Sequence, residues 1–149
     1  FCFSLALIQT PSSVLALKDS PAQLTCAMKQ NSMDHLGVFW YRQPEGSQEF
    51  QFILHATPMN RYTHGENFKD RFNVVRDAFR GSYTLSITSV QLSDNGTYYC
   101  VISHTFTLAF GNGTQLNVVN SLPPPPKPTV KPLQKPVKRC GNRDKSIRR

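Results

Sequence analysis

Asp94-Asn95-Gly96-Thr97-Tyr98-Tyr99-Cys100 is the stretch on which the fold turns. It opens with turn chemistry (Asp-Asn-Gly) and passes into Thr97-Tyr98-Tyr99-Cys100-Val101-Ile102, where β-formers alternate between two faces. Tyr98 and Cys100 share one face by the period of two. The same alternation runs through Ala22-Gln23-Leu24-Thr25-Cys26 and Ser82-Tyr83-Thr84-Leu85-Ser86-Ile87. Turn signals stand at Pro44-Glu45-Gly46 and Arg80-Gly81. No amphipathic helix of ten or more residues is legible. Many short strands separated by turns predict an antiparallel all-β sandwich or barrel. Cys26 and Cys100 fall at inward parity on their strands, and Trp40 follows Cys26 by 14 residues.

Outward from this body the chain changes character. Residues 1–120 carry eight Lys/Arg against eight Asp/Glu, whereas residues 121–149 carry nine against one. The high pI therefore belongs to the tail, and the expected partners exclude nucleic acid because the body has no excess positive charge. Seven of the 11 prolines follow residue 120, including Pro123 to Pro126. Proline donates no backbone hydrogen bond, so this stretch is expected as a polyproline II stalk. Residues 121–140 could span on the order of 60 Å at ~3.1 Å per residue. At the other end, Phe1-Cys2-Phe3-Ser4-Leu5-Ala6 reads as the remnant of a secretory signal, with small residues at Ser4 and Ala6 and a mature start at Leu7. The alternative is an extension of the first strand. The division is thus 1–6 signal remnant, 7–120 folded domain and 121–149 basic Pro/Lys-rich stalk. The longest largely apolar run, Phe1 to Ile8 with Ser4 inside it, is shorter than the about 20 residues a spanning helix needs.

Asp94-Asn95-Gly96-Thr97-Tyr98-Tyr99-Cys100 matches the pattern D-x-G-x-Y-x-C, and the Cys26…Trp40…Cys100 array completes it. Phe110-Gly111-Asn112-Gly113-Thr114-Gln115-Leu116-Asn117-Val118 resembles the joining segment F-G-x-G-T-x-L-x-V, and Trp40-Tyr41-Arg42-Gln43 resembles the matching central strand. By these motifs the chain resembles the variable-type domains of the immunoglobulin superfamily. The resemblance implies a β-sandwich with a Cys26–Cys100 disulfide joining its sheets and Trp40 packed against it. Two buried free thiols are the alternative, which the signal-like start disfavours. It also implies a core in which Tyr98 makes the tyrosine corner and Asp94 pairs with Arg71. A lone variable-type domain, a joining-like last strand and a short stalk with one cysteine resemble, further, the beta subunits of the cytotoxic T-cell co-receptor family. The opening Leu7-Ile8-Gln9-Thr10-Pro11-Ser12-Ser13 is similar to theirs. Two departures stand out. The stalk is poor in Ser/Thr, and basic residues 141–149 follow Cys140 where the family has a membrane helix. Membrane attachment is expected only through a segment absent from this chain, and the ectodomain is otherwise secreted.

With Trp40, Tyr98 and Cys100 inward, Tyr41, Gln43 and Tyr99 point outward, and Phe50, Phe52 and Phe110 are expected to join them. Such an aromatic face predicts a partner surface rather than a solvated one. The resemblance makes the partner a co-receptor alpha chain, and Cys140 is the candidate for an interchain disulfide. The loops at one end are candidate binding elements. The first contains Asn31, Ser32, Met33, Asp34 and His35. The second contains Met59, Asn60 and Arg61, and the third Ser103, His104, Thr105 and Phe106. By resemblance they would grip a class I histocompatibility molecule together with the alpha chain. Two sequons mark Asn95, expected in an exposed turn, and Asn112, beside the partner face, as glycosylation sites.

The four histidines show no metal-ligand spacing with the cysteines, and no nucleophile-elbow, Walker or zinc-protease motif appears. The expectation is a non-enzyme without metal or cofactor. Beside the co-receptor reading stand an antigen-receptor variable chain or other single-domain immune receptor, and an extracellular polyanion binder acting through the basic tail.

Overall fold

A computed structural model describes residues 7–28, 36–104 and 106–122. Asn31, Ser32, Met33, Asp34, His35, Thr105 and Cys140 lie outside these, as do the signal-like start and the stalk from residue 123. Two sheets face each other. The first has the order β1 (Leu7–Thr10), β3 (Ala22–Met28), β8 (Ser82–Ile87) and β7 (Phe72–Asp77), all antiparallel. The second has the order β2 (Ser13–Leu17), β11 (Thr114–Val119), β9 (Gly96–His104), β4 (Val38–Pro44), β5 (Gln51–Ala56) and β6 (Tyr62–His64). Strand β10 (Thr107–Phe110) pairs with β9, and β11 runs parallel to β2. The expected all-β variable-type sandwich is the fold observed. The helical element described is a single turn of 3₁₀ helix at Leu92–Asp94.

The core lies where the alternation places it. Leu24, Cys26, Trp40, Leu85, Ile87, Tyr98, Cys100 and Leu116 are fully buried between the sheets. Cys26 on β3 and Cys100 on β9 are joined by a disulfide that links the two sheets, with Cα atoms 6.3 Å apart. Ile53 and Leu54 are adjacent yet both buried, which breaks strict alternation. The cause is a bulge between β4 and β5: Trp40 pairs with Leu54, but Tyr41 pairs with Phe52, leaving Ile53 as the extra residue.

Asp94 is buried and gathers its partners from three elements. Arg71 grips it with two hydrogen bonds, Nη1 to Oδ2 at 2.7 Å and Nη2 to Oδ1 at 3.0 Å. The Gln91 N–H donates to Oδ2 at 2.8 Å, and Arg42 Nη1 stands 3.6 Å from Oδ1. The Tyr98 hydroxyl donates to the Asp94 carbonyl oxygen at 2.6 Å, so the tyrosine corner and the Arg71–Asp94 pair both form as expected. A buried carboxylate persists only when its lone pairs are occupied in this way.

Candidate functional site

Strand β4 turns Phe39, Tyr41 and Gln43 to the outside of the second sheet, and its antiparallel register with β9 sets Tyr99 opposite Tyr41 and Val101 opposite Phe39. Strand β10 adds Leu108 and Phe110 opposite Ser103 and Val101. The result is a groove of about 300 Å³ lined by Phe39, Tyr41, Phe50, Val101, Leu108 and Phe110, with Ser103 at its edge. The rings interlock around it. Phe50 meets Tyr99 edge-on at 5.5 Å between centroids, and Tyr41 meets Phe52 at 5.6 Å. Phe50 and Phe110 are half in water, at 50% and 52% exposure. Apolar side chains on one sheet face and in one groove, with Phe50, Leu108 and Phe110 exposed over a buried Val101, form a surface suited to a partner.

The expected face residues thus come together, with differences of detail. Tyr41, Phe50 and Phe110 line the groove, Tyr99 and Phe52 brace it through ring contacts, and Gln43 continues the face along β4, half-buried. Phe39, Val101 and Leu108 were not singled out from sequence, although the parity that selected Tyr41 and Tyr99 also selects Phe39 and Val101. His55 on β5 stacks on Phe39 at 4.1 Å. Burial there holds its imidazole below the ordinary 6.5, so the ring is neutral at physiological pH.

The joining-like segment sets the rim. Gly113 has φ +95°, and a Cβ there would come within 2.8 Å of the Tyr99 ring. The glycine therefore lets the last strand approach the aromatic face. Beneath it Gln9, buried with 5% exposure, uses both ends of its amide. Its Nε2 donates to the Tyr98 carbonyl at 2.9 Å, and its Oε1 accepts from the N–H groups of Gly113 (2.9 Å) and Cys100 (3.2 Å). Sequence reading missed this residue. The available signal was a polar side chain at the same parity as buried Leu7. Arg42 was missed too. It faces inward between Tyr41 and Gln43, where it hydrogen-bonds Gln51 Oε1 and the Ser93 carbonyl and approaches Asp94.

The second loop is a tight turn. The Thr57 N–H donates to the Arg61 carbonyl and the Asn60 N–H to the Thr57 carbonyl, with Asn60 at φ 62°. Met59 projects at 76% exposure. The third loop is shorter than expected. Ser103 and His104 belong to β9 and Thr107 already to β10, so the connection is the tip at residues 105 and 106. The reason is pairing: Ser103 lies opposite Leu108 and His104 opposite Thr107, which extends the ladder to the tip. Ser103 consequently borders the groove, and Phe106 alone of the described tip stands out, at 97% exposure. Asn95 is half-buried rather than in an exposed turn, because its Oδ1 accepts the Val118 N–H and ties the turn to β11. Asn112 is exposed, between the two glycines of the rim.

Among the described residues no group of three or more His, Cys, Asp or Glu side chains is placed to hold a metal ion, and no helix is long and apolar enough to cross a membrane. The chain is 30% identical over 118 residues to a T-cell receptor gamma chain V region of Mus musculus, covering 76% of this chain and 86% of that protein. It is 30% identical over 84 residues to myelin protein zero-like protein 3 of Bos taurus, covering 55% of this chain and 36% of that longer protein. The immunoglobulin V-set domain model matches residues 9–119, from the buried Gln9 to the end of the strand that carries the joining-like segment, and the chain belongs to that family.

Proposed function

We propose that this V-set domain is the head of a T-cell surface co-receptor beta subunit. In this reading the aromatic face docks against the V-set domain of an alpha chain, and Cys140 closes an interchain disulfide near the base of the stalk. The loops at one end then bind a class I histocompatibility molecule jointly with the alpha chain, supporting recognition by the T-cell receptor. The role is binding, not catalysis. The observation that carries the reading is the groove of Phe39, Tyr41, Phe50, Val101, Leu108 and Phe110 on a sheet face that would otherwise be polar. The Pro/Lys-rich residues after β11, with their single cysteine, support a stalked subunit.

Co-expression with a candidate alpha chain tests it. The expected product is a disulfide-linked heterodimer that binds class I molecules and separates into monomers under reducing electrophoresis. The Cys140→Ser variant should lose the covalent link while keeping the non-covalent pair. Recovery of the wild-type chain as a monomer alongside the alpha chain would overturn the reading. A second reading, an antigen-receptor variable chain, is favoured by the similarity to a T-cell receptor gamma V region. It predicts pairing with a receptor variable chain instead, and the same co-expression with that partner distinguishes the two.

A further inference from the structure

The two sequons of the folded domain stand in different settings. Asn95 is half-buried, and its Oδ1 accepts the Val118 N–H. Asn112 is exposed, and it sits between two contacts with the partner face. Phe110, two positions before it, lines the groove at 52% exposure. Gly113, the next residue, lies so near Tyr99 that a Cβ there would come within 2.8 Å of the ring. Two residues of chain span at most about 7 Å, so a group borne by Asn112 starts at the groove's edge. The backbone on both sides is held. The Gly111 N–H donates to the Cys100 carbonyl at 2.8 Å, and the Gly113 N–H to Gln9 Oε1 at 2.9 Å. A group on Asn112 is therefore anchored at the rim rather than carried off by a slack loop.

The third residue of the sequon dates the modification. Transfer onto N-x-S/T reads the hydroxyl together with the asparagine. In the fold Thr114 is fully buried: its hydroxyl donates to the Pro11 carbonyl at 2.7 Å and accepts from Gln9 Nε2 at 3.4 Å. Thr114 also opens β11, where it lies opposite Tyr98 of β9. The sequon is thus readable only before β11 closes, and the folded chain keeps whatever state it had then.

We infer that Asn112 is an N-glycan acceptor whose occupancy, set before β11 closes, decides whether the aromatic face can dock: bare chains pair, and glycan-bearing chains stay single. The donor is an oligosaccharide linked to a polyprenyl pyrophosphate. Asn112 Nδ2 bonds to the first sugar carbon and gives up one proton, while the bond from that carbon to the pyrophosphate oxygen breaks and the pyrophosphate leaves. The attached sugar is bulky and hydrated. Docking would press part of it against the partner and strip its hydroxyls of water without replacing their hydrogen bonds. This rests on the reading that the aromatic face pairs with an alpha chain, and it adds a control on that pairing.

The test co-expresses the full chain with its alpha chain in cells that N-glycosylate secreted proteins. Gel filtration separates paired from single chains, and mass mapping of the Asn112 peptide, before and after glycosidase, reads occupancy in each. Glycan on Asn112 should be enriched about tenfold or more in the single fraction. Asn112→Gln and Asn112→Asp, which both remove the acceptor, should shift the chain into the paired fraction with its melting temperature unchanged. Asn112 bare in every fraction overturns the inference, and so does equal occupancy in paired and single chains. Both results leave the pairing reading standing. Folded Asn112→Gln and Asn112→Asp chains that stay single beside the alpha chain overturn the pairing reading and the inference together.

Discussion

Tyr98 shows how a single side chain joins sequence, stability and pH. It is fully buried, and its hydroxyl closes the corner onto the Asp94 carbonyl at 2.6 Å. Burial pushes its phenol well above the ordinary 10.0, with Arg42 partly opposing the shift, because an anion there would be stripped of water. The neutral form is favoured in the fold. Its contribution is whole below the unfolded value near 10 and is lost as pH rises above it, since only the unfolded chain then releases the proton. Tyr98→Phe should cost about 1 kcal/mol at neutral pH through the lost hydrogen bond. It should also flatten the fall in stability above pH ~10, as read from urea midpoints at stepped pH. An equal alkaline fall in both proteins would contradict this. The residues legible from sequence were those marked by local spacing: Tyr98 two before Cys100, Asp94 four before Tyr98, and Trp40 14 after Cys26. Gln9 and Arg42 do comparable structural work without such a mark. Gln9 bonds to groups 89 to 105 residues away, and nothing in its neighbours announces that.

Among the elements, the last strands carry the most consequence for a partner face. Strands β10 and β11 are separated at Gly111–Gly113, and this break lets one segment pair with β9 near the groove while the other pairs with both β9 and β2. The glycines differ in what they permit. At Gly46 a Cβ would meet nothing within 4 Å, so Gly46→Ala carries only the strain of a left-handed backbone, about 1–2 kcal/mol. At Gly113 the added carbon would also press on the Tyr99 ring at 2.8 Å and on the Thr97 methyl at 3.1 Å. Gly113→Ala should therefore destabilise by about 2–3 kcal/mol and displace Tyr99. Chemical denaturation checks the first effect, and pairing with an alpha chain checks the second. Equal losses at the two sites would show that the rim does not bear on the face. Element ends were harder to read than element cores. The third loop was expected over 103–106, yet cross-strand pairing carries the ladder through His104, and such pairing is a property of two strands that neither one reveals alone. The bulge at Ile53 is of the same kind, set by its partner β4.

For the whole molecule, the arrangement separates a rigid scaffold from an uncovered face. The Cys26–Cys100 bridge closes a loop with a sequence separation of 74 residues, worth about 4–4.5 kcal/mol in the chain-entropy account, and it fastens one sheet to the other through the centre of the core. Substitutions on the outside of the second sheet therefore leave the core untouched. Tyr99 is half-buried and Phe110 is 52% exposed, and neither belongs to the buried cluster. Tyr99→Asp with Phe110→Asp should accordingly fold, with a melting temperature lowered by several degrees, since the lost Phe50–Tyr99 ring contact costs about 0.5–1.5 kcal/mol while the buried core is kept. In a docked pair the same two carboxylates would be buried against apolar rings without counter-charge. Their desolvation exceeds what a standard interface yields, so association should fall below detection on gel filtration with the alpha chain present. A folded variant that still elutes as a dimer would mean that the chains meet elsewhere. The conservative pair Tyr99→Phe and Phe110→Leu keeps the apolar area and should keep the dimer, which separates loss of the face from loss of the fold.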